Sequence, residues 1–175
     1  MIMKLERLCE LEFSPDVDIN LSGRSFKIDK LPSELPRRIT ASFYCFGNRL
    51  TSLAHCPSEI GGTFECGSNL LTSLEYCPSI VGGDFMCVDN RLTSLKDIHK
   101  QIKKIGDRFL CFDNPIKSRI LGLMLIDIGG DIVTDLGNGR DVDAILNKWK
   151  NQGRKGVLGA QRELLELGYA ELAQL

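Results

Sequence analysis

The chain predicts an α/β repeat fold, a short solenoid of parallel strands with an α-helical C-terminal cap. Two observations predict it. The stretches "FYCFGNRLTSLAHCPSEIGGT", "FECGSNLLTSLEYCPSIVGGD" and "FMCVDNRLTSLKDIHKQIKKIGDR" align from their first residue, placing Cys45, Cys66 and Cys87 at steps of 66−45=21 and 87−66=21. After Asp141 the period changes, and Val142, Ile145, Leu146 and Trp149, then Leu158, Leu164, Leu165, Leu167 and Leu172, fall at helical spacing.

Residues 1–20 precede the pattern and are expected to form an N-terminal cap. Their apolar positions Ile2, Leu5 and Leu8 are interrupted by Lys4, Glu6, Arg7 and Glu10, so neither a signal-peptide core nor a membrane span is expected. A cytoplasmic location follows as the expectation. Repeats are predicted over residues 21–116. The first is degenerate: Leu21, Ile28, Leu31, Leu35 and Ile39 fall near the positions of Phe43, Leu50, Leu53, Cys56 and Ile60. Full units start near residues 43, 64 and 85, and "FLCFDNPI" opens another at Phe109 after three extra residues. Residues 117–175 are expected to be helical. Within them "SRILGLMLIDIGG" is a dense apolar run suited to a capping helix, because an open solenoid end exposes its core.

The unit F-x-C-x-x-N-x-L-x-x-L resembles the leucine-rich repeat pattern L-x-L-x-x-N-x-L-x-x-L, with Phe and Cys at the first two leucine positions. The resemblance covers about residues 17–116. With its "LTSL" and "GGxFxC" strings, the chain also resembles short leucine-rich repeat proteins encoded by tailed bacteriophages. The resemblance implies a parallel β-sheet on a concave face, used for binding. It further implies a non-catalytic protein–protein interaction module, as a phage-encoded inhibitor or adaptor acting on a host or defence protein.

The residues support the same architecture physically. In F-x-C two apolar side chains flank an exposed one, the period of a short strand with one buried face. Stacking then makes Phe43, Phe64, Phe85 and Phe109 one internal column and the cysteines another. The repeated Asn48, Asn69 and Asn90 can bond unpaired backbone groups of the turn, and neighbouring amides can bond one another. Gly61-Gly62 and Gly82-Gly83 suit a tight bend with unusual backbone angles, and Pro57 and Pro78 mark a convex side that is not helical.

Seven cysteines raise the question of chemistry. Zinc sites need Cys or His pairs a few residues apart, whereas the closest cysteines here are 66−56=10 apart and none forms C-x-x-C. No metal and no cofactor is expected. Cys45, Cys66, Cys87 and Cys111 read as core positions, and Cys56 and Cys77 as a convex-side column. Cys111-Phe112-Asp113 matches the Cys-x-Asp string of leucine-rich effectors with ubiquitin-ligase activity. It falls on the repeat's buried cysteine position, and the residues that follow are too few for that catalytic domain. His55 and His99 lie in different parts of their repeats with no evident nucleophile. An enzyme is not expected. Gly137-x-Gly139 lacks the third glycine of a dinucleotide fingerprint and reads as a turn opening a helix.

Function is then carried by the outward strand positions. Alternation puts three columns there: Ser42, Thr63, Asp84 and Arg108; Tyr44, Glu65, Met86 and Leu110; Phe46, Gly67, Val88 and Phe112. The apolar members would form a contiguous patch of the kind soluble monomers seldom leave bare, with Gly67 as a hollow and Asp84, Glu65 and Arg108 setting orientation. The C-terminal helices have three readings: they cap the last repeat, fold over this patch, or pair in a homodimer. Lys+Arg 22 against Asp+Glu 23 gives a net charge of −1, which makes nucleic acid an unlikely partner. Its local candidate is Lys100, Lys103, Lys104 and Arg108. A self-associating structural or virion component is the other alternative.

Overall fold

The computed structural model describes residues 16–23, 27–137 and 141–175. Each turn of chain contributes two short strands, one to each of two parallel sheets. The six-stranded sheet is β1 (Ile19–Asn20), β3 (Phe43–Tyr44), β5 (Phe64–Glu65), β7 (Phe85–Met86), β9 (Phe109–Leu110) and β11 (Ile132–Val133), in that order. The five-stranded sheet is β2 (Arg38–Ile39), β4 (Glu59–Ile60), β6 (Ile80–Val81), β8 (Lys104–Ile105) and β10 (Asp127–Ile128). The result is a solenoid of about five turns, followed by helices α2 (Asp141–Trp149) and α3 (Gly153–Glu166). The extra residues before Phe109 wind into α1 (Ile98–Gln101), a single helical turn that buries Ile98.

The core is the pair of columns that alternation predicts. Phe43 stacks on Phe64 with ring centres 6.1 Å apart, Phe64 meets Phe85 edge-on at 5.1 Å, and Phe85 meets Phe109 at 5.5 Å. All four rings are fully buried, as are Cys45, Cys66, Cys87 and Cys111 beside them. A buried ring of this kind contributes roughly 1.5–3 kcal/mol over its exposed state, and only the adjacent turns make that burial possible.

The asparagines bond backbone rather than one another. Asn69 Nδ2 donates to the carbonyls of Cys45, Cys66 and Gly67, and its Oδ1 accepts the Leu50 N–H at 3.0 Å. Asn48, Asn90 and Asn114 repeat the arrangement, each joining its own turn to the preceding one. The amide-to-amide bonding expected from stacking is thus replaced by bonding to the main chain: each amide serves an N–H and carbonyls buried between the turns, some of which, such as Gly67, also accept a backbone N–H of the neighbouring turn.

The glycine pairs act differently from expectation. Gly61 and Gly82 do not have positive φ. A Cβ on either would instead press into the carbonyl oxygen of the preceding turn, Thr40 or Gly61, and Gly106 and Gly129 continue this column. The turns approach too closely there for any side chain. The left-handed corners lie elsewhere, at Gly47, Ser68, Asp89 and Asp113 before each asparagine, and at His55, Tyr76 and Asp97 on the opposite side.

Three register expectations change. Ile19, not Leu21, pairs with Phe43, so Leu21 sits in the cysteine column. The expected N-terminal cap lies outside the described residues as far as residue 15, and its last two residues are β1. The apolar run Ser118–Gly130, expected as a capping helix, forms the 3-10 helix Leu121–Leu125 and then β10, and the chain goes on into β11. The run is buried because it is another turn of the solenoid: Leu121, Gly122, Leu123 and Met124 are all inside, and Gly122 packs against Ile98 and His99. An unbroken apolar stretch is compatible with either a buried helix or buried strands, and periodicity cannot separate them.

The end of the solenoid is closed by α2, which buries Val142, Ile145 and Leu146 as its spacing predicts. Its other inward residues act as a surrogate strand. Asn147 accepts the Ile132 N–H at 2.9 Å and donates to the Ile132 carbonyl at 2.8 Å; Asn151 does the same for Ile128, at 3.0 and 2.7 Å. Asp143 accepts the Thr134 N–H at 2.9 Å. The helix, through Asn147, and the left-handed turn that follows it, through Asn151, thereby bond the last strand of each sheet. An open sheet edge is a template for association, and covering it is a standard remedy. α3 ends as expected at Gly168, whose φ is +85°, with its N–H on the Leu165 carbonyl. The tail then returns to pair Glu171 and Leu172 carbonyls with the Arg119 and Ile120 N–H groups.

Candidate protein-binding face

The outward side of the six-stranded sheet is set by strand register. Tyr44, Glu65, Met86 and Leu110 stand side by side in one row, which Asn20 and Val133 extend at its two ends. Backbone bonds from Gly47 to Gly67, Ser68 to Val88 and Asp89 to Phe112 continue the ladder, so Phe46, Gly67, Val88 and Phe112 form the next row. Tyr44, Phe46, Met86, Val88 and Phe112 are half-buried, held by their neighbours yet open to solvent. The helices do not cover them; α2 sits on β11 at the end of the stack.

Two residues of these rows differ from the sequence-based picture. Leu110 is only 7% exposed, because the unforeseen strand β11 places Val133 on its far side and turns an expected edge position into an interior one. Gly67 is not a hollow. Val88 Cγ2 lies 3.0 Å from where a Cβ at Gly67 would stand, so the valine leans into the space and Gly67 is buried beneath it. Val133 is the residue that sequence reasoning missed. Its signal was the string Gly129-Gly130-x-Ile132-x-Thr134, which keeps the spacing of GGxFxC while replacing both marker letters.

The charges on this face are unequal. Asp84 accepts two bonds from the Arg108 guanidinium, at 3.1 and 2.7 Å, and also the Arg108 N–H at 3.0 Å. Hydrogen bonding to Arg108 holds the Asp84 carboxyl below its ordinary range. Asp84 and Arg108 therefore satisfy one another. In the same column Asp18 accepts the Ser42 N–H and Ser42 the Thr63 N–H, so these side chains serve the sheet. The Glu65 carboxylate has no hydrogen-bond or ion-pair partner among the described residues, and burial between Tyr44 and Met86 pushes it up.

An unpaired, partly desolvated carboxylate costs stability when charged. Its folded pKa is raised, so its contribution is fully favourable below the ordinary value of 4.5 and is lost as pH rises through the folded value. Glu65→Gln is accordingly expected to melt above wild type at neutral pH, with the difference closing below pH 4.5, as read by thermal unfolding at a series of pH values. Asp84 has the opposite sign: its contribution is present above 3.8 and disappears as pH falls through its lowered value.

Other candidate groups are engaged or sequestered. Lys100 pairs with Asp97 at 2.9 Å, Lys104 with Asp127 at 3.8 Å and Arg108 with Asp84, while Lys103 donates to the His99 carbonyl. The six described cysteines are free thiols. Burial pushes Cys77 up to about 12 and raises Cys45, Cys56, Cys66 and Cys87 as well, which keeps them protonated and weakly nucleophilic near neutral pH. Cys77 is buried in the core and Cys56, half-buried, packs against it, each shortly before a strand of the five-stranded sheet. His99 Nδ1 is buried with no hydrogen-bond partner among the described residues. No three His, Cys, Asp or Glu side chains among the described residues form a metal-binding group, and no helix among them is long and apolar enough to cross a membrane.

The architecture defines the protein's class: a two-sheet parallel solenoid whose C-terminal edges are closed by α2 and the turn that follows it. Comparison with protein-family models, curated proteins and solved structures finds no match to the chain.

Proposed function

We propose that this protein is a non-catalytic binding module of the leucine-rich repeat type, and that it captures another protein on the outward, concave face of its six-stranded sheet. The observation that carries the reading is the uncovered block of Tyr44, Phe46, Met86, Val88 and Phe112 surrounding the unpaired Glu65. Aromatic and methionine side chains are what interface cores are enriched in, and a rigid sheet presents them without ordering cost. Glu65 favours a partner that brings a cationic side chain, which would gain both the ion pair and contact with the Tyr44 ring. Binding acts by occlusion: the partner's surface is covered, and no bond is made or broken. The resemblance to phage-encoded repeat proteins makes an inhibitor or adaptor directed at a host protein the specific form of the proposal.

The experiment places a photo-crosslinking residue at Tyr44 on this face and, as a control, at Glu75 on the opposite side. The protein is then irradiated in extract with and without Phe46→Asp plus Phe112→Asp. These two positions are half-buried, so their aspartates leave the core intact, and circular dichroism verifies the fold. A partner that crosslinks from residue 44 alone and weakens at least about tenfold in the double variant is the expected result. Retention of every partner by the folded double variant overturns the proposal.

A further inference from the structure

The helix α3 is amphipathic, but its apolar residues do not all face inward. Val157, Ala160 and Leu164 are buried, whereas Leu158 and Leu165 are 66% and 52% exposed. Beside Leu158 lies an open groove lined by Lys155, Leu158, Gly159 and Arg162, with Trp149 beneath. A Cβ at Gly159 would collide with the indole, so the missing side chain is what lets Trp149 form the floor. Trp149 is fixed in place by its Nε1 donating to Glu163 at 3.0 Å, and Lys148 holds the same carboxylate at 2.6 Å. The four lining residues of α3 stand at i, i+3, i+4 and i+7. That is the hole into which a facing helix inserts a single side chain.

The knob that fits is on the same helix. Leu165 lies seven residues from Leu158, two turns on and on the same face, about 10.5 Å along the axis. An antiparallel second copy with its two-fold axis near residues 161 and 162 places each Leu165 over the other copy's groove. The charges agree with this orientation. α3 has no acidic residue in its first turn and no basic residue in its last. Arg154 and Lys155 stand near the positive end of the helix dipole and Glu163 and Glu166 near the negative end, the reverse of what an isolated helix favours. Antiparallel pairing opposes the two dipoles and brings the basic start of one helix beside the acidic end of the other. There Glu163 is held by Lys148, and the more exposed Glu166, at 3.6 Å from Arg162, is the carboxylate within reach of the partner's Lys155. Arg162, nearest the axis, is neutralised on its own helix by Glu166 at 3.6 Å.

From the hole, the knob and the inverted charges we infer that the protein self-associates as a two-fold dimer through antiparallel α3 helices. This surface is separate from the outward sheet face and leaves that face free on both copies, so the dimer and the binding proposal stand or fall independently.

The test is sedimentation equilibrium of the full chain from about 1 µM to about 1 mM, a range that brackets weak helix-pair affinities. Wild type is expected to move from 19.5 kDa towards 2×19.5=39 kDa as concentration rises. Leu165→Glu and Leu158→Glu, both at exposed positions, are expected to remain at 19.5 kDa with unchanged circular dichroism. Lys155→Glu should weaken association about tenfold, and adding Glu166→Lys should restore it. A wild type that stays at 19.5 kDa throughout overturns the inference, as does full association in both leucine variants. Failure of the charge exchange to restore association overturns the antiparallel arrangement.

Discussion

Asn69→Ala is expected to destabilise the protein by about 2–4 kcal/mol, seen as a lower urea midpoint with an unchanged slope. The side chain is 6% exposed and serves the Leu50 N–H and the Cys45, Cys66 and Gly67 carbonyls. Alanine leaves the Leu50 N–H unpaired in a space closed above and below by turns, where a buried unpaired polar group costs on the order of 1–3 kcal/mol. It also takes one donor from each carbonyl, of which Cys45 keeps Asn48, Cys66 keeps Asn90 and Gly67 keeps the Gly47 N–H. Asn69→Asp should be at least as harmful despite its equal size, because an acceptor would then face carbonyl oxygens. Asn114 supplies the comparison: it makes the same bonds but is only half-buried, as Gly137 stands where the next asparagine would be. Water can replace part of its role, so Asn114→Ala should cost nearer about 1 kcal/mol. Equal losses at the two positions would mean that the asparagine ladder does not join the turns.

Asn147→Ala combined with Asn151→Ala is expected to cost about 2–4 kcal/mol and, more tellingly, to change the state of association. The two amides make four bonds to the last strands of both sheets, at Ile132 and Ile128. Their loss exposes two parallel edges at one end of the stack. Made in the Leu165→Glu background, where α3 pairing is absent, the double variant should self-associate by light scattering while its parent stays monomeric. A monomer of undiminished stability would show that apolar packing of α2 alone closes the solenoid.

Much of the architecture could be read from the chain because its repeat is written in residues whose roles are local. Phe43, Phe64, Phe85 and Phe109 mark a buried strand position wherever they occur, and the step of 21 from Phe43 to Phe85, lengthened to 109−85=24 at the next unit, places successive strands side by side. The last turn escaped because only its glycine pair, Gly129-Gly130, survives: Ile132 stands for Phe, Thr134 for Cys and Gly137 for Asn. The glycine pairs were legible as points of constraint but not as to its kind, since close approach of a neighbouring turn leaves the same letter as an unusual φ. The candidate face was legible as rows of residues. Which members stay open was not, because Leu110 and Gly67 are closed by Val133 and Val88, neighbours from other turns.

The sequence by itself determined the period, the two-residue alternation, the inward columns of phenylalanine and cysteine and the change to helical spacing after Asp141. These follow from short-range geometry, in which each residue's direction depends on its own few neighbours. Only the tertiary structure decided where the stack ends, which face the helices occupy, and that Glu65 is left unpaired while Asp84 is not. Those outcomes depend on groups brought together across turns, such as Asn147 on Ile132 and Arg108 on Asp84, and spacing along the chain carries no record of such pairings.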